Sequence, residues 1–242
     1  MSAIPLEQEM EYPTSDGQPM AETTLHRKVM ADLIEALDRR YASVPDVWVG
    51  GNLFLCYRKG DPSAALAPDV LLARGVTKWD RPNYLLWEET PPALVVEVTS
   101  RKTRGEDRGK KKEVYERIGV EEYVLFDPYG DWLRPRLQGF RLEGGRYQAI
   151  VPAEDGSLAS RTTGLILRAE GERLRLFDPA AGKPLLWTDE LEGARAEAEA
   201  ALAGAEAALA QERAARARAE ALAAEEAAAR RKLEERLREL DG

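Results

Sequence analysis

The stretch Ala93-Leu94-Val95-Val96-Glu97-Val98 constrains this chain more than any other. Its apolar residues run almost without alternation, the mark of a strand buried on both faces. Such a strand needs a covering layer on each side, which selects an α/β architecture over an open antiparallel sheet. Glu97 breaks the run. A carboxylate inside that strand is costly unless a cation, a lysine or a donor network meets it.

The sequence around the run supports the same architecture. A helix is predicted near Glu106 to Ile118, stopped by Gly119. Tyr123-Val124-Leu125-Phe126 then reads as a second apolar strand, closed by Asp127-Pro128. Strand, helix and strand at this spacing predict a βαβ crossover. Upstream, Leu25, Val29, Leu33 and Leu37 recur at four-residue steps and predict a helix over roughly Thr23 to Tyr41. Val47-Trp48-Val49 and Leu53 to Tyr57 flank Gly50-Gly51-Asn52, a hairpin-like turn. Val70 to Ala73 is a short apolar run after Pro68-Asp69. After Trp132 two hairpins are expected, around Gly144-Gly145 and around Gly171. The expected fold is α/β, a mixed sheet with helices and extra β-hairpins late in the domain.

The composition changes sharply near Trp187. From Leu191 to Leu240 there is no proline, and alanine, glutamate and arginine dominate. These are strong helix formers. Leu202 and Leu209 lie seven apart, Leu233, Leu237 and Leu240 follow a 4-3 step, and alanines such as Ala219, Ala223 and Ala227 fill the seam between them. The expected organisation is a folded domain over residues 1–187 and a helical, coiled-coil extension over 188–242, whose partner is a second copy. A solvated single helix is the plainer alternative.

Composition excludes several classes of function. One cysteine, Cys56, rules out an intramolecular disulfide and a cysteine-rich zinc site. One histidine, His26, rules out a multi-histidine metal centre. Any metal must sit on oxygen ligands, which favours magnesium, manganese or calcium. No apolar stretch reaches the roughly 18 residues of a membrane span. The acidic start lacks a basic and apolar export pattern, so a cytoplasmic location is expected. The net charge of −8 argues against coating a nucleic acid with the whole surface.

A local exception stands out. Arg101, Lys102, Arg104, Arg108, Lys110, Lys111 and Lys112 face only Glu106 and Asp107 across twelve residues. This basic segment directly follows the strand bearing Glu97, at the carboxyl end where open α/β sheets place ligands. Asp69 opens another apolar strand. If the two strands are neighbours, Asp69 and Glu97 converge, and a divalent cation resolves their repulsion. Asp107, Lys111 and Tyr115 follow four-residue steps and share a helix face, so Lys111 can reach back over the strand. A lysine beside metal-bound carboxylates suits phosphodiester hydrolysis, and the surrounding cations attract a polyanion.

In their order, Pro68-Asp69-Val70, Pro92 to Ser100, Thr103, Asp107, Lys111, Tyr115, Gly119 to Tyr123 and Asp127-Pro128 resemble the Uma-two family of restriction endonucleases, within the PD-(D/E)XK nuclease superfamily. The resemblance covers roughly Met20 to Leu186. It implies a restriction-endonuclease-like mixed sheet flanked by helices, and magnesium- or manganese-dependent cleavage of DNA. It implies Asp69 and Glu97 as metal ligands, helped by the main-chain carbonyl of Val98. The superfamily lysine two residues after the glutamate is Thr99 here. Lys111, at the family's Asp-x-x-x-Lys-x-x-x-Tyr pattern, is the expected substitute. Glu22, His26, Thr99, Asp107 and Tyr115 are expected in an outer shell. Arg101, Lys102, Arg104, Arg108, Lys110 and Lys112 are the expected contacts to the DNA backbone. A homodimer is expected, since two sites held together would suit cutting both strands. The alternatives are a weak or inactive nuclease-like domain that binds DNA or a partner, and an assembly protein whose working part is the tail.

Overall fold

The computed structural model describes residues 12–14 and 23–240, with side chains through 236. It divides into two units, Met1–Thr188 and Asp189–Gly242.

In the first unit, α1 (Thr24–Arg40) opens with Thr23 as its cap, whose hydroxyl accepts from the His26 amide at 3.1 Å. Four strands follow: β1 (Val47–Gly50), β2 (Phe54–Cys56), β3 (Ala65–Leu66) and β4 (Val70–Arg74). After β5 (Asn83–Leu85) comes β6 (Leu94–Val98), all five residues of which are buried. The crossover begins with α2 (Arg104–Glu106), continues as a π-helical turn over Asp107–Lys111, and ends as α3 (Lys112–Ile118) with Gly119 at φ +88°. It leads into β7 (Glu122–Phe126), which pairs parallel to β6. The hairpin β8 (Leu137–Glu143) and β9 (Arg146–Ala149) extends the same sheet.

The main sheet therefore has the mixed order β1-β4-β6-β7-β8-β9. A second sheet holds β10 (Leu158–Ala159), β11 (Ile166–Glu170), β12 (Arg173–Asp178) and β13 (Lys183–Pro184), all antiparallel. The third is β3-β2-β5. Alternate residues of β6 feed two cores. Leu94, Val96 and Val98 pack with α1 and the second sheet. Val95 packs with Leu55, Tyr84, Val114 and Tyr115 on the opposite face. Period-two alternation places Asp69, Glu97 and Thr99 on that second face, under the crossover helix.

The expected hairpin between 47–49 and 53–57 does not form. β1 pairs antiparallel with β4 in the main sheet, and β2 pairs parallel with β5 in the small one. Gly50-Gly51-Asn52 is instead a corner between sheets. Asn52 takes φ +52°, and its amide donates to Pro68 O at 2.8 Å. That bond to a distant segment, rather than a local turn, directs the chain. The crossover, both late hairpins and the mixed sheet correspond to the sequence expectation.

The second unit is α4 (Thr188–Leu240), a helix of 53 residues. At 1.5 Å per residue it is roughly 80 Å long. Among the described residues, no helix is long and apolar enough to cross a membrane.

Candidate active site

β4 and β6 run antiparallel with Val70 opposite Val96. One further step of that register sets Asp69 opposite Glu97, on the same face. The Val98 amide donates to Asp69 Oδ2 at 2.7 Å, tying the start of one strand to the end of the other. His26 reaches the pair from α1, with Nε2 3.2 Å from Asp69 Oδ1.

The crossover helix supplies the cation. Lys111 Nζ donates to Glu97 Oε2 at 2.8 Å and lies 3.1 Å from Asp107 Oδ1. Tyr115 OH donates to Glu97 Oε1 at 2.8 Å. The π-helical turn explains how three residues at four-residue steps meet one strand. In an α-helix each such step drifts about 40° around the axis. The wider i→i+5 turn between Asp107 and Lys111 winds less per residue and offsets that drift. Tyr123 OH donates to Asp107 O at 2.8 Å and fastens the turn to β7.

Electrostatics mark this cluster as short of positive charge. Burial pushes the Glu97 carboxyl up to about 8; Lys111 opposes that rise, and Asp69 and Asp107 add to it. The Asp107 carboxyl is raised as well, chiefly by burial. Burial alone would lower the Lys111 ammonium, yet Glu97, Asp107 and Asp69 outweigh it and hold the proton well above the usual lysine range. Burial is the chief cause for the two acids, and the acids themselves are the cause for the lysine. Three acids and one ammonium leave two negative charges over when fully ionised.

A divalent cation fits that deficit. The Thr99 hydroxyl is buried without a hydrogen-bond partner, which points to an additional polar group in this space. Among the described residues no three His, Cys, Asp or Glu side chains form a ready metal cage. The groups that would hold the cation are the Asp69 and Glu97 carboxylates with the main-chain carbonyl of Val98. That set suits magnesium, which retains several waters and takes one or two carboxylates.

Of the expected site residues, Asp69, Glu97, Val98 and Lys111 come together. His26, Thr99, Asp107 and Tyr115 border them, and Glu22 lies outside the described residues. Arg101, Lys102, Arg108 and Lys110 are exposed. Arg104 is exposed too, with its guanidinium 4.7 Å from the Trp132 ring centre. Lys112 is only partly exposed, because its ammonium sits 3.6 Å above the Phe140 ring.

Sequence reasoning missed two supports. An alanine Cβ at Gly51 would lie 2.0 Å from Asp69 O, so only glycine lets the corner press against the aspartate backbone. Buried Asp127 accepts from the amides of Tyr129, Gly130, Trp132 and Leu133, shaping the loop that leaves β7 beside the site. The sequence signals for the first were the Gly-Gly-Asn string and the likeness of Gly51-Asn52-Leu53 to one branch of the family.

The sequence profile of the family described as "Uma2: Putative restriction endonuclease" matches residues 2–204. The chain belongs to the Uma2 family. Membership places it among restriction-endonuclease-like nucleases, and the Uma2 match runs past the first unit into α4. One solved structure, titled as a putative nuclease belonging to DUF820 from Anabaena variabilis ATCC 29413, is similar at TM-score 0.41 and 13% identity, over 55% of this chain and 73% of that one. No protein of curated function matches.

Proposed function

We propose that this Uma2 protein is a divalent-metal-dependent endonuclease that hydrolyses DNA phosphodiester bonds. One observation carries the reading: Asp69 and Glu97 face each other across adjacent strands, with the Lys111 amine 2.8 Å from Glu97. The ammonium absent at Thr99 is thus supplied one helix later.

Asp69 and Glu97, with the Val98 carbonyl, would hold magnesium or manganese. When bound, the cation supplies an acidified water and withdraws charge from the scissile phosphate. The chain's own groups do the rest. The Val98 amide fixes Asp69, and Tyr115 and Lys111 fix one Glu97 oxygen each. Lys111 also sets positive charge beside the position where negative charge grows on the phosphate. The exposed cations of the 101–110 segment hold the DNA backbone, an interaction that weakens with salt.

The test is nicking of supercoiled plasmid with magnesium or manganese, run beside calorimetric titration of manganese. Wild type nicks and binds; Glu97→Gln loses nicking and most manganese affinity. Cleavage by the variant at the wild-type rate overturns the assignment. Thr99 favours one rival, a nuclease-like domain that binds DNA without cutting it. Retained DNA binding by a wild-type protein that takes up no manganese would support that rival.

A further inference from the structure

α4 carries its apolar and charged residues in one heptad register. Six of its seven leucines, Leu191, Leu202, Leu209, Leu233, Leu237 and Leu240, fall on two positions spaced four and three apart. Five α4 leucines are among the nine large apolar side chains exposed among the described residues, with Leu202 at 61% and Leu233 at 62%. The same two heptad positions also hold four charges near the middle of the helix: Glu212, Arg216, Glu226 and Arg230. Charges on such a seam oppose pairing unless the partner presents the opposite sign at the same level.

The order of this seam decides its partner. Its charges are mirrored with opposite sign about position 221. Pairing each residue with the one equally far beyond that centre sets Leu209 against Leu233, Glu212 against Arg230, Arg216 against Glu226 and Ala219 against Ala223. By sequence, position 202 then faces 240 and position 205 faces 237, where leucine or alanine stands throughout. Across the overlap from position 202 to 240 every seam charge meets its opposite and every seam leucine meets leucine or alanine, while Leu191 and Arg195 lie before the overlap. Leu222, just off the seam and next to the centre, lies beside its own copy. A parallel pair in register would instead stack Glu212, Arg216, Glu226 and Arg230 each on itself, four repulsive layers. A seven-residue slip in either orientation sets leucine against charge.

We infer that α4 joins two copies of this chain as an antiparallel coiled coil centred on position 221. In the single chain, Arg216 and Arg230 already bind Glu220 and Glu234 on their own helix, at 2.9 and 3.1 Å. Those pairs are exposed and weak, so the arginines can turn to the partner's Glu226 and Glu212. The 33 residues from 188 to the centre span about 50 Å. The two copies of residue 188 therefore stand about 100 Å apart along the coil.

Disulfide mapping on the full chain tests orientation. Leu209→Cys and Leu233→Cys proteins, oxidised separately, stay uncrosslinked; mixed, they form the 209–233 disulfide. Self-crosslinking of either one alone overturns the antiparallel assignment. Wild type is the control, since its one cysteine is buried. Light scattering tests the charges. Arg216→Glu with Arg230→Glu weakens the dimer at least about tenfold. Mixing that protein with Glu212→Arg plus Glu226→Arg restores a heterodimer. A wild-type monomer at high micromolar concentration, or a dimer indifferent to charge reversal, refutes the inference.

Discussion

The close approach of Gly51 to Asp69 makes a sharp test of how the site is held. In Gly51→Ala the new methyl would begin 2.0 Å from Asp69 O, 2.8 Å from Asp69 C and 2.9 Å from Ile34 Cδ1. Two of those three atoms are backbone, so rotamer changes cannot relieve the contact. Restoring ordinary spacing parts the two segments by more than about 1 Å. A movement of that size breaks the Asn52 to Pro68 hydrogen bond, now 2.8 Å. Losing it costs about 1 kcal/mol, and overpacking adds about 1–3 kcal/mol. For a folded unit of this size the melting temperature falls by roughly 5–15 °C. Asp69 shifts with its own carbonyl, and a misplacement near 1 Å costs catalysis roughly a hundredfold. Thermal unfolding by circular dichroism and metal-dependent plasmid nicking measure the two effects. Gly204→Ala is the control, since a Cβ there meets nothing within 4 Å and the helix tolerates alanine. A Gly51→Ala protein with wild-type melting and nicking would show that the two segments are not in contact.

Two further outcomes follow from the buried acids. Burial pushes the Glu97 carboxyl of the folded chain up to about 8, from its ordinary value of 4.5. Between those values the folded chain keeps a proton that the unfolded chain releases, so metal-free stability falls as pH rises from about 4.5 to 8 and is level above. The difference between wild type and Glu97→Gln in urea unfolding at pH 5.5 and pH 8, a few kcal/mol by linkage, measures this slope, and added magnesium flattens it; no slope in the difference would mean that Glu97 is ionised throughout. Glu122 has the opposite character, because hydrogen bonds from Ser160, Arg161 and Thr162 and a 2.8 Å pair with Arg141 satisfy it fully. Glu122→Ala leaves buried Ser160 and the half-buried Thr162 and Arg141 without their acceptor and costs about 1–3 kcal/mol, without changing cleavage per folded molecule. A loss below about 1 kcal/mol in the same urea titration would contradict that account.

Wherever a segment's own pattern set its burial, the sequence was enough. The unbroken apolar run with Glu97 inside it implied a two-face strand and a partner for the acid. The stop at Gly119 and the run at 123–126 implied the parallel crossover, and the heptad leucines and alanines implied a long helix. Each rests on side-chain periodicity, which a chain carries locally. What failed was partner choice. Val47–Gly50 and Phe54–Cys56 read as two halves of a hairpin, yet they lie in different sheets. Strand pairing is settled by contacts distant in sequence, here the Asn52 amide on Pro68 and the methyl-free face of Gly51 on Asp69.

The candidate site divides along the same line. Its charged members were legible, because a carboxylate in an apolar strand and a lysine two helical turns into a basic segment are chemically conspicuous. Their assembly was not. The antiparallel register sets Asp69 against Glu97, the Val98 amide locks the aspartate, and the π-helical turn swings Lys111 over the strand. None of these leaves a mark in a linear pattern, since backbone amides carry no sequence identity and a turn widens only where packing demands it. The residues that can do chemistry were written in the chain; only the fold decided that they meet at one point with too little positive charge among them.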